Sequence, residues 1–289
     1  MSKKATEFQR VAMSRIYRGK EIFKPLNTGW IDENVACVRE WVANIFFYRR
    51  GETTIMIDAG YNYDRLAEKM GWLEIDAKSI RHILITHQDT DHVGAVEADG
   101  LGLFKKAKLY IGEIENRYRY LTGEVRRRVM HRLYKLPQVT INNKKQLLKD
   151  GETFKIGNIK IHAFLVPGHT WGHMVYLIDD KYLFTGDTIW FGADGGYSFI
   201  SALAESNKLA VRSLGILEQK LKKMCVKPLF ITGHTGFTDN FEFAFAHKEK
   251  LCSPFKKKVH DPSALYDAYD ESDDTERNAK NGFLKVAGK

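Results

Sequence analysis

The sequence predicts one large α/β domain, and three observations carry that expectation. Short runs of β-branched and aliphatic residues recur along the chain and end in polar or glycine-containing turns, as buried strands do. The segment 205–224 places Ala210, Leu214, Leu217, Leu221 and Met224 at helical spacing. A chain of 289 residues with 44% hydrophobic content is long and apolar enough for one substantial core.

The elements follow in order. Residues before about 28 carry no readable period and form an irregular lead-in. Val35-Ala36-Cys37-Val38 and Asn44-Ile45-Phe46-Phe47-Tyr48 read as strands, and Arg49-Arg50-Gly51-Glu52 as the turn into a third at 53–57. A short amphipathic helix spans 64–70, with Leu66, Ala67 and Met70 on one face. Strands are expected at 80–85 and 108–111. A helix then runs from about Glu113 to Leu136, with a break at Gly123 and a stop before Pro137. Asp150-Gly151-Glu152 and Gly157-Asn158 are turns between short strands. Strands 174–178 and 181–185 pair through Asp179-Asp180. The helix at 205–224 and a second at 240–251 complete the expected core. Beyond Pro254 the composition turns charged, with Lys256-Lys257-Lys258 followed by Asp267, Asp270, Glu271, Asp273, Asp274 and Glu276. So little apolar surface predicts a loosely held tail over 256–289.

Charge is unevenly distributed. The formal net charge is +9, but residues 105–149 hold 13 Lys and Arg against 3 Glu, a balance of +10. The remainder, with 32 basic and 33 acidic residues, sits at −1. A clustered positive field attracts anionic ligands. The opening Met1-Ser2-Lys3-Lys4-Ala5-Thr6-Glu7 lacks the apolar core of a secretory signal, and no run reaches the roughly 20 apolar residues of a membrane span. Cys37, Cys225 and Cys252 are scattered without metal-type spacing and read as small core residues of a reducing compartment. The expectation is a cytoplasmic protein.

The chemistry concentrates in Thr86-His87-Gln88-Asp89-Thr90-Asp91-His92-Val93-Gly94, directly after the strand at 80–85. Four potential metal ligands within six residues suit a divalent first-row cation, because imidazole and carboxylate are its ordinary donors. Three later segments repeat the arrangement of an apolar strand ending on a glycine-flanked His or Asp. Residues 159–166 lead into Pro167-Gly168-His169-Thr170-Trp171-Gly172-His173, residues 181–185 into Gly186-Asp187-Thr188, and residues 228–232 into Gly233-His234-Thr235-Gly236. His82 and His162, inside strand patterns, read as structural histidines.

In this ordered set the sequence resembles the metallo-β-lactamase-fold hydrolase superfamily, over roughly residues 20–250. The family pattern HxHxDH appears here as HxDxDH, and Asn44-Ile45-Phe46-Phe47 ahead of 54–60 fits the family's opening. The resemblance implies a four-layer αββα sandwich over 1–255, with a basic helical insertion at about 112–137. It implies a soluble binuclear metal-dependent hydrolase that uses a metal-bound hydroxide on an ester, lactone, thioester or phosphodiester. By motif position, His87, Asp89 and His169 form the first metal site and Asp91, His92 and His234 the second. Asp187 bridges the two, and Asp91 and Asp187 are the catalytic carboxylates. Asp58 matches a family Asp that supports ligand orientation.

Asp89 departs from the family, which has His at that position. Either the side chain points away and only shapes the loop, or it ligates and shifts preference from Zn towards Fe or Mn. An iron-dependent redox enzyme and a binding module without turnover are the alternative functions. His173, four residues after His169, is a pocket or supporting residue, with a plain structural role as the alternative. Tyr118, Arg126, Arg127 and Arg128 on the basic segment are candidates for binding a small, anionic substrate, with a solvated face as the plain alternative. Nothing beyond charge speaks for nucleic acid.

Overall fold

The computed structural model describes residues 23–98, 100–120, 125–129, 132–136, 139–253 and 271–284. Two sheets account for most of it. The first contains β1 (Gly29–Trp30), β2 (Val35–Glu40), β3 (Ala43–Arg50), β4 (Thr53–Ile57), β5 (His82–Ile85) and β6 (Lys108–Gly112) in that spatial order, followed by β9 (Lys145–Leu148). A separate hairpin, β7 (Val125–Val129) and β8 (Arg132–Leu136), lies between β6 and β9 in the chain. The second sheet contains β10 (Glu152–Ile156), β11 (Ile159–Leu165), β12 (Met174–Ile178), β13 (Tyr182–Gly186), β16 (Leu229–Thr232) and β17 (Phe237–Thr238). A short ribbon, β14 (Trp190–Gly192) and β15 (Gly195–Tyr197), follows β13.

The strand period of two builds the layers. On β2, Val35 and Cys37 face the second sheet, whereas Ala36 and Val38 face outward. Phe46, Ile55, Ile57 and Leu84 join that inner layer and meet Ile161, Tyr176, Ile178, Phe184 and Ile231 of the second sheet. On the outer side of the first sheet, Val38, Phe47, Met56 and Ile83 pack with Leu66 and Met70 of α1 (Leu66–Trp72). On the outer side of the second, Val175, Leu177, Leu183 and Phe230 pack with Leu214, Leu217 and Leu221 of the long helix Asn207–Lys223. Both faces of each sheet are therefore apolar, which is why the strands read as continuous hydrophobic runs. The result is the four-layer αββα sandwich.

Three expectations change. The basic segment is not one helix. A helix of two turns, Glu113–Tyr120, gives way beyond Gly123 to the β7–β8 hairpin, in which Arg126, Arg127 and Arg128 pair with Lys135, Tyr134 and Leu133. Val125 and Val129, β-branched at both ends of the strand, favour extended backbone. The helix expected over 240–251 is a single turn, Phe241–Ala244, capped by Asn240 Oδ1 on Phe243 N at 3.0 Å. Phe241 and Phe245 are committed to the core at Phe230, and His247 N bonds back to Gly196 O. Tertiary contact outweighs helical spacing here. Of the cysteines only Cys37 is buried; Cys225 is exposed at the end of the long helix, with φ of +56°.

The acidic C-terminal segment also differs. Residues 271–284 are packed on the domain, with a short helix at Glu276–Lys280. Lys69, wholly buried, sits 2.5 Å from both Glu271 Oε2 and Asp274 Oδ2. Asp274 accepts from Thr28 N at 2.5 Å and Thr28 Oγ1 at 2.8 Å, and Arg39 pairs with Asp273 at 2.8 Å. Composition predicted detachment because the segment is polar, but its carboxylates have charged partners waiting in the fold. A buried charge is tolerated when it is paired and hydrogen-bonded in this way.

Candidate metal centre

The predicted ligands converge at one edge of the sandwich, beyond the carboxyl ends of β5, β11, β13 and β16. Loops leaving the carboxyl ends of parallel strands are where α/β sheets place their sites. β4, β5 and β6 run parallel, as do β13 and β16. β5 ends at Ile85, and residues 86–89 lead into the one-turn helix Thr90–Val93, which carries Asp91 and His92. His169 follows β11, Asp187 follows β13 and His234 follows β16.

Their donor atoms form two clusters. In one, His169 Nε2 lies 3.1 Å from His87 Nε2, 3.1 Å from Asp89 Oδ2 and 3.4 Å from Asp187 Oδ2; His87 Nε2 lies 3.5 Å from Asp89 Oδ2. In the other, Asp187 Oδ1 lies 3.4 Å from His92 Nε2 and 3.3 Å from His234 Nε2. Asp91 Oδ2 lies 3.7 Å and 3.6 Å from the same two nitrogens. Each cluster thus offers four donors, and the two oxygens of Asp187 divide between them. Four donors held about 2.0–2.1 Å from a tetrahedral cation stand about 3.3–3.4 Å apart. The observed spacing fits a cation in each cluster. His92 Nε2 and Asp187 Oδ1 are also buried without a hydrogen bond, as atoms reserved for an ion are.

Asp89 faces the cluster. It occupies the N-cap of the Thr90–Val93 turn yet makes no capping hydrogen bond, the usual role of an Asp there. Its carboxylate turns towards His87 and His169 instead. The alternative in which it points away does not hold.

The outer nitrogens of the imidazoles set the direction of the inner ones. His92 Nδ1 lies 2.8 Å from Asp58 Oδ2. Thr86 Oγ1 lies 3.0 Å from His87 Nδ1 and donates to Asp58, which also accepts from Thr86 N at 2.8 Å. His234 Nδ1 donates to Val42 O at 2.6 Å. With these three Nδ1 atoms committed, the Nε2 lone pairs of His87, His92 and His234 aim inward. Asp58 adopts φ of +58°, an uncommon conformation for a residue other than glycine and one associated with functional sites.

Electrostatics match this arrangement. Burial opposes a charge on His92, but Asp187, Asp58 and Asp91 outweigh it and raise its pKa to about 10. Burial likewise opposes ionisation of Asp187, yet His234, His92 and His169 hold its carboxyl well below the usual range. Burial and the neighbouring His92 keep His87 neutral, far below its ordinary pKa. A cation entering the site displaces protons, so its affinity rises with pH.

Of the roles open to His173, the structure gives it the supporting one. It is fully buried, stacks on His87 at 4.7 Å, and its Nε2 accepts from Asp187 N at 3.0 Å. It holds the backbone of Asp187 and does not face a substrate. Tyr118 lies on the Glu113–Tyr120 helix and Arg126, Arg127 and Arg128 on β7, with their side chains outside the described residues. His82 bonds Tyr110 Oη at 3.0 Å and His162 bonds Asp180 at 3.0 Å, both structural.

Sequence reasoning missed several supporting residues. Buried Glu115 accepts from Gln88 N at 2.9 Å and Gly172 N at 3.2 Å, joining the loop of the first half to that of the second. Its place in a basic segment disguised it. Phe199, at φ of +67°, sets its ring 4.4 Å from that of His169. Gly233 was legible from its place before His234: a Cβ there would stand 2.9 Å from Asp187 Oδ1 and 3.1 Å from the His92 ring.

An αββα sandwich with His/Asp clusters at its strand ends defines a metal-dependent hydrolase class. The metallo-beta-lactamase superfamily model matches residues 38–226, and the chain belongs to that superfamily. Among curated relatives, the hydroxyacylglutathione hydrolase of Buchnera aphidicola is 31% identical over 150 residues, covering 51% of this chain and 47% of the relative. An atrochrysone carboxyl ACP thioesterase of a Cryptosporiopsis species is 24% identical over 148 residues, covering 50% of this chain and 38% of the relative. The chain therefore spans about half or less of the length of these relatives. A solved B3 metallo-beta-lactamase with an active site glutamic acid superposes with a TM-score of 0.59 at 20% identity, over 82% of this chain and 92% of that one. That likeness speaks for the fold.

Proposed function

We propose that the protein is a metal-dependent hydrolase of thioesters, with one divalent cation held by His87, Asp89, His169 and Asp187 and a second by Asp91, His92, His234 and Asp187. The observation that carries this reading is the pair of four-donor clusters divided between the two oxygens of Asp187. Bound there, two cations supply a water deprotonated at neutral pH and a Lewis acid for the acyl oxygen. The chain's own part is to keep that site rigid. Asp187 sets the spacing of the two clusters, while Asp58, Thr86 and Val42 O keep the imidazoles in the ligating tautomer. Hydrolysis forms a carbon–oxygen bond at the acyl carbon and breaks the carbon–sulfur bond, releasing a carboxylate and a thiol. The seven ligating positions include no serine or cysteine, and this reaction requires none.

The thioester class rests on the relatives, since a hydroxyacylglutathione and an acyl-ACP are both thioesters. A panel of S-acyl glutathione, lactone, aryl ester and phosphodiester substrates, each with Zn, Mn and Fe, tests it. Preferential thioester turnover that chelator abolishes is expected. Turnover confined to phosphodiesters or lactones would move the substrate class, and two bound metals with no turnover would favour a binding module.

Asp89 favours a harder ion in its cluster, because a carboxylate replaces the family's imidazole. Asp89→His is expected to shift competition between Zn and Mn towards Zn by about tenfold without unfolding the protein, a change of about 1.4 kcal/mol. Competition titrations of the two proteins measure this; equal selectivity means Asp89 is not a ligand.

The +10 balance of residues 105–149 supports an anionic substrate. Changing Arg126, Arg127 and Arg128 to Gln is then expected to raise KM for S-acyl glutathione and flatten its salt dependence. The change should leave kcat within about twofold, since uniform binding alone is lost. Initial rates across ionic strengths decide it, and an unchanged KM and salt response leave the segment a solvated face.

A further inference from the structure

We propose that Glu271, on the docked C-terminal segment, is a positioning residue for His234, acting through the turn between β2 and β3. This rests on the reading of His234 as a metal ligand. The turn is a two-residue hairpin connection, Trp41–Val42, closed by the Glu40–Ala43 pair. Of its two residues only Trp41 has positive φ, +53°, a conformation that hairpins ordinarily assign to glycine at that position. A tryptophan there persists only when its surroundings hold it.

The surroundings are specific. Glu271 Oε1 accepts the Trp41 N–H, while Glu271 Oε2 accepts from Tyr63 Oη at 2.7 Å and faces Lys69 Nζ at 2.5 Å. The Trp41 ring packs on Tyr61 and Tyr63 at 4.9 and 5.7 Å, and Arg39 Nε donates to Trp41 O at 3.3 Å. Lys69 also donates to Arg39 O at 2.9 Å, so the carboxylate and the strand end before the turn share one buried ammonium.

The same turn seats the His234 loop. Val42 O accepts from His234 Nδ1 at 2.6 Å, and Asn44 N donates to Gly233 O at 2.9 Å. His234 Nε2, on the other side of the ring, lies 3.3 Å from Asp187 Oδ1. A shift of the Trp41–Val42 backbone would rotate the imidazole or free its Nδ1–H from Val42 O, so that the tautomer with the proton on Nε2 competes, and either weakens ligation. Glu271 lies 229 residues from Val42 in sequence but only one residue of the turn separates its bond from the carbonyl that orients the ligand.

The test is a stepwise zinc titration against a chromophoric chelator. In the wild-type protein two zinc ions are expected, and His234→Ala should remove one. Glu271→Ala is expected to weaken that same site by about tenfold to a hundredfold and leave the other within threefold, the range typical of lost outer-shell partners. Glu271→Gln keeps an acceptor oxygen for Trp41 N and should stay within threefold of wild type at both sites. Glu271→Asp, which withdraws the carboxylate by one methylene but keeps its charge beside Lys69, carries the same expectation as Glu271→Ala should the latter not fold. Asp274→Asn loosens the segment without touching the turn; it should lower thermal stability and leave the affinity of the His234 site within threefold. Unchanged affinities in Glu271→Ala or Glu271→Asp overturn the proposal, as does an equal loss at both sites or an equal loss in Asp274→Asn. Fewer than two zinc ions in the wild type, or an intact second site in His234→Ala, overturns the ligand assignment instead.

Discussion

Asp187→Asn is expected to lose one of the two cations and to lower kcat/KM at least about a thousandfold, about 4 kcal/mol of transition-state stabilisation. Among the described residues, Asp187 alone has two oxygens that address different clusters, Oδ2 towards His87 and His169, Oδ1 towards His92 and His234. An amide keeps the size of the side chain and one carbonyl oxygen, so one cluster can retain its fourth donor. The other is left with three donors, and the pair loses the negative charge that offsets two dications. His173 still accepts from the backbone of residue 187, so the loop is held and the fold is expected to persist. Elemental analysis, circular dichroism and thioester turnover on the same preparation check the three parts. A folded variant with two cations and more than a tenth of the activity would exclude bridging by Asp187.

Removing the metals is expected to lower the melting temperature by roughly 10 °C. The ligands come from both halves of the sandwich: His87, Asp89, Asp91 and His92 follow a strand of the first sheet, and His169, Asp187 and His234 follow strands of the second. Cations held between them clamp the two sheets at their shared edge. A cation at a hundredfold its Kd contributes about 2.7 kcal/mol to stability, so two contribute a little over 5 kcal/mol. In a chain of 289 residues each kcal/mol moves Tm by a little under about 2 °C. The metal-free site also holds four carboxylates, Asp58, Asp89, Asp91 and Asp187, that the dications no longer balance. Calorimetry of protein before chelation, after it, and after zinc is restored measures the effect. A melting temperature insensitive to all three treatments would rule out a metal clamp.

Most of the site was legible because its chemistry is local. His87, Asp89, Asp91 and His92 sit within six residues after a strand that betrays itself by apolar composition. His169, Asp187 and His234 each follow another such strand with a glycine at hand. The supporting residues were not legible, because a hydrogen bond across the fold leaves no trace in spacing. Thr86, Glu115 and Val42 act through contacts 28, 27 and 192 residues away. The basic segment misled for a related reason. Arginine and lysine are good helix formers, and only the pairing of β7 with β8 shows that an extended conformation prevails there.

The sequence by itself showed an α/β chain, most of its strands and a set of candidate donors, because apolar runs and donor type are properties of neighbouring residues, while the αββα class and the assignment of seven ligands came from the family resemblance. The tertiary structure decided how closely the donors of each cluster stand and how the oxygens of Asp187 divide. It turned Asp89 inward and placed His173 behind Asp187. It also docked an acidic segment, composed like a free tail, onto Lys69, Arg39 and Thr28. Each of these depends on where the ends of distant strands meet and which buried charges find partners there, and only the folded chain sets those distances.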